Sequence, residues 1–397
     1  MRMNKAIARR TASVIALGCS AAMAPTAHAW EMQSGDWLFG VSGTVNGFYV
    51  NREVEARGAD GNFTTTHNSA VENGLLPAWI NFKLGTQVDG WDVKVHFGFA
   101  PGINDRSEII GLPHNADPTS ALSPFSQIDT RNALFSFGKP TFGTVTVGRD
   151  IGIFGRDIIL SDMTILGVGG NANAAVPFNT TFGMISHGYM YVGFQPQITY
   201  KTPDFGGFTA EDGIFHPSQF AGTETKQPGF QANATWASKA MGAPVKIWGS
   251  LVSQDTSGPG SHRAEGYELG GKLGIGDFEG VLYGFQGKGL GASTVGAQFF
   301  LTVDANGDRQ KSTGYFAQGT YKFGATKVGL SYGENKDDNS PLCGGCDRKS
   351  PAGTAGVYYT FNKYITFTGE YVREDIKNDS TKAAKITTFA LGAILFF

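Results

Sequence analysis

From residue 37 to the C-terminus the chain repeats one pattern, in which apolar side chains alternate with polar or small ones and tight connections take turns with long polar ones. Sixteen such segments can be counted: 37–51, 76–87, 91–100, 128–138, 143–150, 191–202, 207–216, 230–237, 245–254, 266–275, 278–287, 314–323, 326–333, 353–361, 364–373 and 384–397. In 91–100 the sorting is plain, with Val93, Val95, Phe97 and Phe99 facing one way and Lys94, His96 and Gly98 the other. A helix, which repeats about every 3.6 residues, would mix the two sets. Tight turns at one end (Asp89-Gly90, Gly276-Asp277, Gly324-Ala325, Asn362-Lys363) and long loops at the other suit strands that cross a membrane and return. An even number of strands brings both termini to one side. Because an unpaired backbone group facing lipid costs several kcal/mol, the first and last strands must pair with each other. The expected fold is therefore all-β, a transmembrane 16-stranded antiparallel β-barrel. Pro196 lies inside the sixth segment, where its missing N–H predicts a bulge or local break.

The N-terminus carries Arg2, Lys5, Arg9 and Arg10, then an apolar run over 11–24, then Ala27-His28-Ala29 as a small-residue cleavage site. This is the layout of a signal peptide over 1–29, leaving 30–397 as the mature domain. Arg9-Arg10 lacks the apolar pair of a twin-arginine signal, and Cys19 is lost with the signal. Removing the four cations turns 32 basic against 34 acidic residues into 28 against 34, a balance that disfavours nucleic-acid binding. After residue 29 no run of eighteen apolar residues occurs, which excludes helical spans. The remaining cysteines, Cys343 and Cys346, sit in a glycine-rich loop and can pair in the oxidising compartment that an exported chain enters. No second cysteine pair or neighbouring histidine completes a zinc site, so no metal is expected.

The last segment ends on Phe397, with Phe389, Leu391, Ala393 and Leu395 on the same face and Thr388, Ala390 and Gly392 on the other. Gly392, Leu395 and Phe397 resemble the terminal assembly signal of bacterial outer-membrane barrels, although Ala390 stands where a polar residue is usual. Through strand count, loop order and this ending, the whole mature chain resembles the trimeric Gram-negative porins. Ala78-Trp79-Ile80-Asn81-Phe82-Lys83 followed by Thr86-Gln87 resembles the family's second-strand segment, with Trp79 in place of an arginine. Thr130-Arg131-Asn132-Ala133 resembles the fourth-strand segment whose arginine lines the constriction, and Gly148-Arg149-Asp150 resembles the end of the fifth strand.

The resemblance implies a homotrimer in outer-membrane lipid, inserted by the barrel-assembly machinery, with a water-filled channel for small hydrophilic solutes and ions. It implies no cofactor and no enzymatic activity, and a third loop (about 151–190) folded into the barrel. Arg131, Arg149 and Arg156 are candidates for a cationic wall, Asp157 and Asp162 for its counter-charge on the loop, and Trp79 for an apolar contact. Parity adds Lys83, Lys94, Lys201, Lys246, Lys272, Lys322 and Lys327 to the inward face, against Glu268 and Glu370. A basic lumen would prefer anions such as small carboxylates. The rival reading of these lysines is that they only solvate the rim, which leaves a general diffusion pore.

Two other classes stay open: an outer-membrane hydrolase barrel and a soluble exported β-protein that binds a ligand. Histidines His67, His114, His187, His216 and His262 are scattered with no convincing Ser/Asp partner, and detergent extraction separates a barrel from a soluble protein. Asp304-Ala305-Asn306-Gly307-Asp308 has oxygens spaced as in a calcium loop but no closing glutamate, and also reads as a hairpin tip.

Overall fold

The computed structural model describes residues 30–103, 128–170, 180–217, 225–240, 242–256, 262–294 and 302–397. The signal over 1–29, together with His114, lies outside them. The strands are β1 (Trp30–Ser34), β2 (Trp37–Arg57), β3 (Phe63–Glu72), β4 (Trp79–Val88), β5 (Trp91–Pro101), β6 (Ile128–Lys139), β7 (Gly143–Ile151), β8 (Phe194–Lys201) and β9 (Phe208–Phe215). They continue with β10 (Gly229–Ala240), β11 (Ala243–Asp255), β12 (Arg263–Ile275), β13 (Phe278–Lys288), β14 (Lys311–Phe323), β15 (Thr326–Ser340), β16 (Cys346–Thr360), β17 (Ile365–Asn378) and β18 (Thr381–Phe396).

All pairings are antiparallel; β2 pairs with both β3 and β4, the strands from β4 on pair with their chain neighbours, and β18 returns to β2. Two positions in the wall are each filled by two strands. The long β2 pairs through its outer half with β3 (Phe48↔Glu72 to Arg57↔Phe63) and through its inner half with β4 (Leu38↔Gly85 to Thr44↔Trp79). On its other edge β18 covers Thr44 to Ala56, and β1 covers Trp37 to Val41. The wall is thus a closed antiparallel barrel of sixteen positions, as the alternation predicts.

Three local expectations need correction. The stretch after the first segment is not all loop: Phe63–Glu72 is a strand, and its Thr-rich sequence lacks the apolar alternation that would reveal it. Trp30–Ser34 is also a strand, fully exposed along its length, and it completes the closing position below β18. Pro196 causes no bulge. It stays in register opposite Arg149, and its carbonyl accepts from His216 N at 2.9 Å. The missing donor is harmless because the ladder to β9 starts only at Gln197, one residue on.

Alternation sorts the wall into two faces. Tyr49, Phe97, Phe135, Ile198, Leu251, Leu269, Leu282, Leu330, Val357, Tyr371 and Leu391 are exposed, whereas Phe48, Trp248, Glu268, Gln318, Tyr358, Glu370 and Ala390 on the opposite face are buried. Large apolar side chains exposed on strand after strand form the band that contacts lipid. Closure ends on the last residue: Gly43 N donates to Phe397 O at 2.7 Å, and Phe397 N donates to Gly43 O at 3.0 Å. A Cβ at Gly43 would overlap the Trp79 carbonyl and the Phe397 ring, so this seam needs glycine.

Candidate functional site

Among its described residues, the connection from β7 to β8 (152–193) carries one helical turn at Arg156–Ile159, one 3-10 turn at Met163–Leu166 and a few isolated bridges. Its apolar side chains pack on the wall in two groups. Phe154, Ile158, Met184, Tyr189 and Met190 lie with Trp248, Val252, Val281, Tyr283, Phe285 and Phe316. Met163, Leu166 and Val168 lie with Phe48, Val50, Tyr358, Ala390, Ile394 and Phe396. All these wall residues belong to the face opposite the lipid-contacting band.

A buried segment without a ladder must find partners for its backbone elsewhere. Here wall side chains supply them. On β12, Glu268 Oε2 accepts from Gly155 N at 3.0 Å and from Tyr283 OH at 2.7 Å. On β17, Glu370 Oε2 accepts from Val168 N at 2.7 Å and Gly169 N at 2.8 Å, while its Oε1 accepts from Tyr358 OH at 2.7 Å. Each clamp is a glutamate carboxyl group that accepts from a tyrosine hydroxyl on the neighbouring strand and from loop N–H groups.

Amides complete the set. Gln231 Oε1 accepts from Ile153 N and Phe154 N, Gln318 Oε1 from Met163 N, and Asn335 Oδ1 from Gly188 N, at 2.7–3.0 Å. Gly155 has φ +77° and a Cβ there would strike the Met190 carbonyl, so the turn that presents its N–H to Glu268 requires glycine. Sequence reasoning placed Glu268 and Glu370 inward but as free lumen charges. It missed Tyr283, Tyr358, Gln231, Gln318 and Asn335, although their inward parity beside glycine-rich strands was readable.

Of the charged loop residues expected to face the channel, three are already engaged. Arg156 forms a bidentate pair with Glu211 at 3.1 and 2.7 Å. Asp157 accepts from Lys246 Nζ at 2.5 Å and Asn233 Nδ2 at 3.1 Å. Asp162 is 1% exposed and caps the 3-10 turn through Thr164 N at 2.9 Å while accepting from Tyr189 OH at 2.7 Å. Burial pushes its carboxyl above the usual carboxylate range, against the pull of those hydrogen bonds. Asp162 is therefore enclosed by the loop it helps to build.

Arg131 and Trp79 do come together, through a bulge. The β5–β6 register runs Gly98↔Asn132 and then Phe99↔Thr130, leaving Arg131 as the extra residue. Alternation alone would set Arg131 beside Ala133 and Phe135 on the outward row, and a bulge re-aims a side chain. Its guanidinium lies 5.7 Å from the Trp79 ring centroid and 5.4 Å from that of Phe194, with Asp129 at 3.1 Å. Arg149 is different: it pairs with Ala133 in the row of Val147 and Phe135, and its Nε donates to Thr130 O at 2.8 Å. The inward positions beside it are Gly148 and Asp150, whose carboxylate accepts from Asn132 at 2.7 Å. Ladder parity thus takes Arg149 off the inward row.

Lys83 pairs with His96 and Lys94 with Gly85, both on the inward row. No carboxylate among the described residues lies within 4 Å of either lysine, whereas Lys246 meets Asp157 and Lys272 meets Glu279 at 2.8 Å. Lys327 is buried over the Tyr358 ring at 4.7 Å. Lys201 and Lys322 are exposed at the turn end of the wall, next to Glu211 and Lys327 in the ladder. Of the terminal residues, Gly392 pairs between Thr368 and Phe48, and Leu395 and Phe397 keep to the exposed row. Cys343 and Cys346 are joined as a disulfide at the tip of the β15–β16 hairpin. Asp304 Oδ1 accepts from Asn306 N and Asp308 N, so this carboxylate closes a hairpin tip.

The Gram-negative porin profile matches residues 11–379. The chain belongs to the Gram-negative porin family. It is an outer-membrane channel for diffusion, and porins are channels rather than enzymes. Solved structures agree on the fold at low identity. The anion-selective porin from Comamonas acidovorans is 14% identical with a TM-score of 0.63, covering 91% of this chain and 100% of that one. The outer membrane channel DcaP of Acinetobacter baumannii is 15% identical with a TM-score of 0.65, covering 92% and 99%. Salmonella typhi OmpF, in complex with daunomycin, is 16% identical with a TM-score of 0.54, covering 93% and 100%. A search of curated protein sequences found no match. In this porin the geometry separates a wall that holds the 152–193 segment from a wall, β4 to β7, whose inward lysines have no carboxylate within 4 Å among the described residues.

Proposed function

We propose that this porin prefers anions, small carboxylates among them, and that the 152–193 segment folds into the barrel and narrows its path. In this reading the chain is exported by its 1–29 signal, inserted into lipid by the barrel-assembly machinery, and works as a homotrimer with β2 and β18 at the subunit interface. The observation that carries the preference is the pair Lys83 and Lys94, inward-facing on β4 and β5 with no carboxylate within 4 Å among the described residues. The segment's acids do not offset them, because Asp157 is matched by Lys246 and Asp162 is enclosed. Fixed charge of one sign in a confined aqueous path raises the local concentration of counter-ions and selects among them. Similarity in fold to a porin described as anion-selective supports the same reading. Arg131, stacked on Trp79 and Phe194 at the outer end of this wall, adds a guanidinium and aromatic surface for the solute.

The test is the reversal potential of the purified channel in a planar bilayer under a KCl gradient. The expected sign is that of chloride permeating faster than potassium. A potential of the opposite sign overturns the preference while leaving the channel itself in place.

A further inference from the structure

Beside the second half of the 152–193 segment lies a cavity of about 340 Å³, lined by Ser186, His187, Ser293, Arg348, Glu374 and Ile386 among others. Two features set it apart from the rest of the interior. The first is a guanidinium that hydrogen-bonds no carboxylate among the described residues. Arg348 on β16 pairs across the ladder with Asp337, the natural place for an ion pair. Asp337 is taken instead by Ala292 N at 2.9 Å, Ser293 N at 2.7 Å and Ser312 Oγ at 2.5 Å. The guanidinium is left with two neutral oxygens, Thr294 Oγ1 at 3.2 Å and Asn378 Oδ1 at 3.3 Å. The second is a hydroxyl: Ser293 is 3% exposed and its Oγ has no hydrogen-bond partner among the described residues.

The carboxylate on the cavity wall, Glu374, has a partner of its own. His187 Nδ1 faces the Ser350 carbonyl at 3.0 Å and must therefore carry a hydrogen. Its Nε2 lies 3.2 Å from Glu374 Oε2, so that carboxylate faces the imidazole. Asp337 is occupied by its own donors, and Arg348 meets the cavity with neutral hydrogen-bond partners. Ile376, Ala383, Ala384 and Ile386 give it an apolar side.

We propose that this cavity is a binding subsite for a small monocarboxylate, its carboxylate held by Arg348 and Ser293 Oγ and its short alkyl end lying on Ile376, Ala384 and Ile386. It is off the Lys83–Lys94 wall, so it would retain a solute rather than set the sign of selectivity. The inference rests on the porin reading, because its test reads block of the channel's current. The disulfide tip at Cys343–Cys346, two residues before Arg348, fixes the hairpin end that carries the guanidinium.

The test uses the assembled channel in planar bilayers with symmetric KCl and added sodium butyrate, with butylammonium chloride as the control of equal size and opposite charge. Butyrate is expected to reduce the KCl current saturably and butylammonium to leave it unchanged. Arg348→Gln should raise the half-blocking butyrate concentration at least about tenfold, as loss of a charge-assisted contact does. Ser293→Ala should raise it about threefold, and it removes only a hydroxyl, so it reads the site even if the arginine variant fails to assemble. Arg348→Lys should fall between wild type and the glutamine variant. No saturable block of the wild type, or equal block of wild type and Ser293→Ala, overturns the subsite. The KCl reversal potential, measured in the same membranes, reports the anion preference separately, so either idea can fail while the other stands.

Discussion

The two halves of the inner wall differ in what their polar side chains do. From β9 round to β18, glutamates, glutamines and asparagines point inward and are consumed by a single segment: Glu268, Gln231, Gln318, Asn335 and Glu370 each accept from its backbone at 3.0 Å or less. From β4 to β7 the inward residues Lys83, Lys94 and Ser136 make no such bond to the described part of the segment, and no carboxylate among the described residues lies within 4 Å of either lysine. A polar residue facing a pore is therefore not by that fact a pore residue. On one wall polarity replaces a missing β-ladder, and on the other it is left facing inward.

The comparison is broken first by cutting the clamps. Glu268→Ala with Glu370→Ala strips acceptors from three loop N–H groups and two tyrosine hydroxyls, each buried donor costing about 1–3 kcal/mol when left unmade. Trypsin cleavage after Arg156 in the assembled channel should accelerate at least about tenfold, since local opening governs the rate. Unchanged proteolysis would show that apolar packing alone holds the segment.

The opposite wall should respond in selectivity and not in stability. Lys83→Gln with Lys94→Gln is expected to lower the chloride-to-potassium permeability ratio by about threefold or more, with heat-induced gel mobility unchanged. A shift in gel mobility as large as that of the clamp variant would erase the distinction between the walls.

Smaller effects sharpen the assignment at the bulge. Arg131→Ala should change the permeability ratio by about twofold, whereas Arg149→Ala should leave it within measurement error, because only Arg131 stacks on Trp79. Equal effects would restore Arg149 to the solute path. The smallest expected change is Tyr358→Phe, which removes one hydrogen bond to Glu370 and about 1 kcal/mol of anchoring while leaving both loop N–H contacts in place.

Much of the barrel was legible because a strand with lipid on one side writes its alternation into the sequence, and the closing seam was legible because Phe397 ends such a strand. The Phe63–Glu72 strand was not, since its threonines and exposed edge carry no such signal. Nor was the fate of Arg149 and Arg131: alternation places both outward, and only the single-residue slip opposite Phe99 re-aims one of them. The charged loop residues Arg156, Asp157 and Asp162 were recognised by position, but their partners Glu211, Lys246 and Tyr189 lie up to 89 residues away in sequence. Parity gives the direction of a side chain and says nothing of what fills the space it points into.

The most direct measurement of the central claim is the KCl-gradient reversal potential of the wild type beside that of the Lys83→Gln, Lys94→Gln double variant, both as heat-modifiable folded channels. The account predicts an anion-selective wild type and a potential moved toward zero or past it in the variant. An identical potential in the two channels, or a wild type selective for cations, would contradict it.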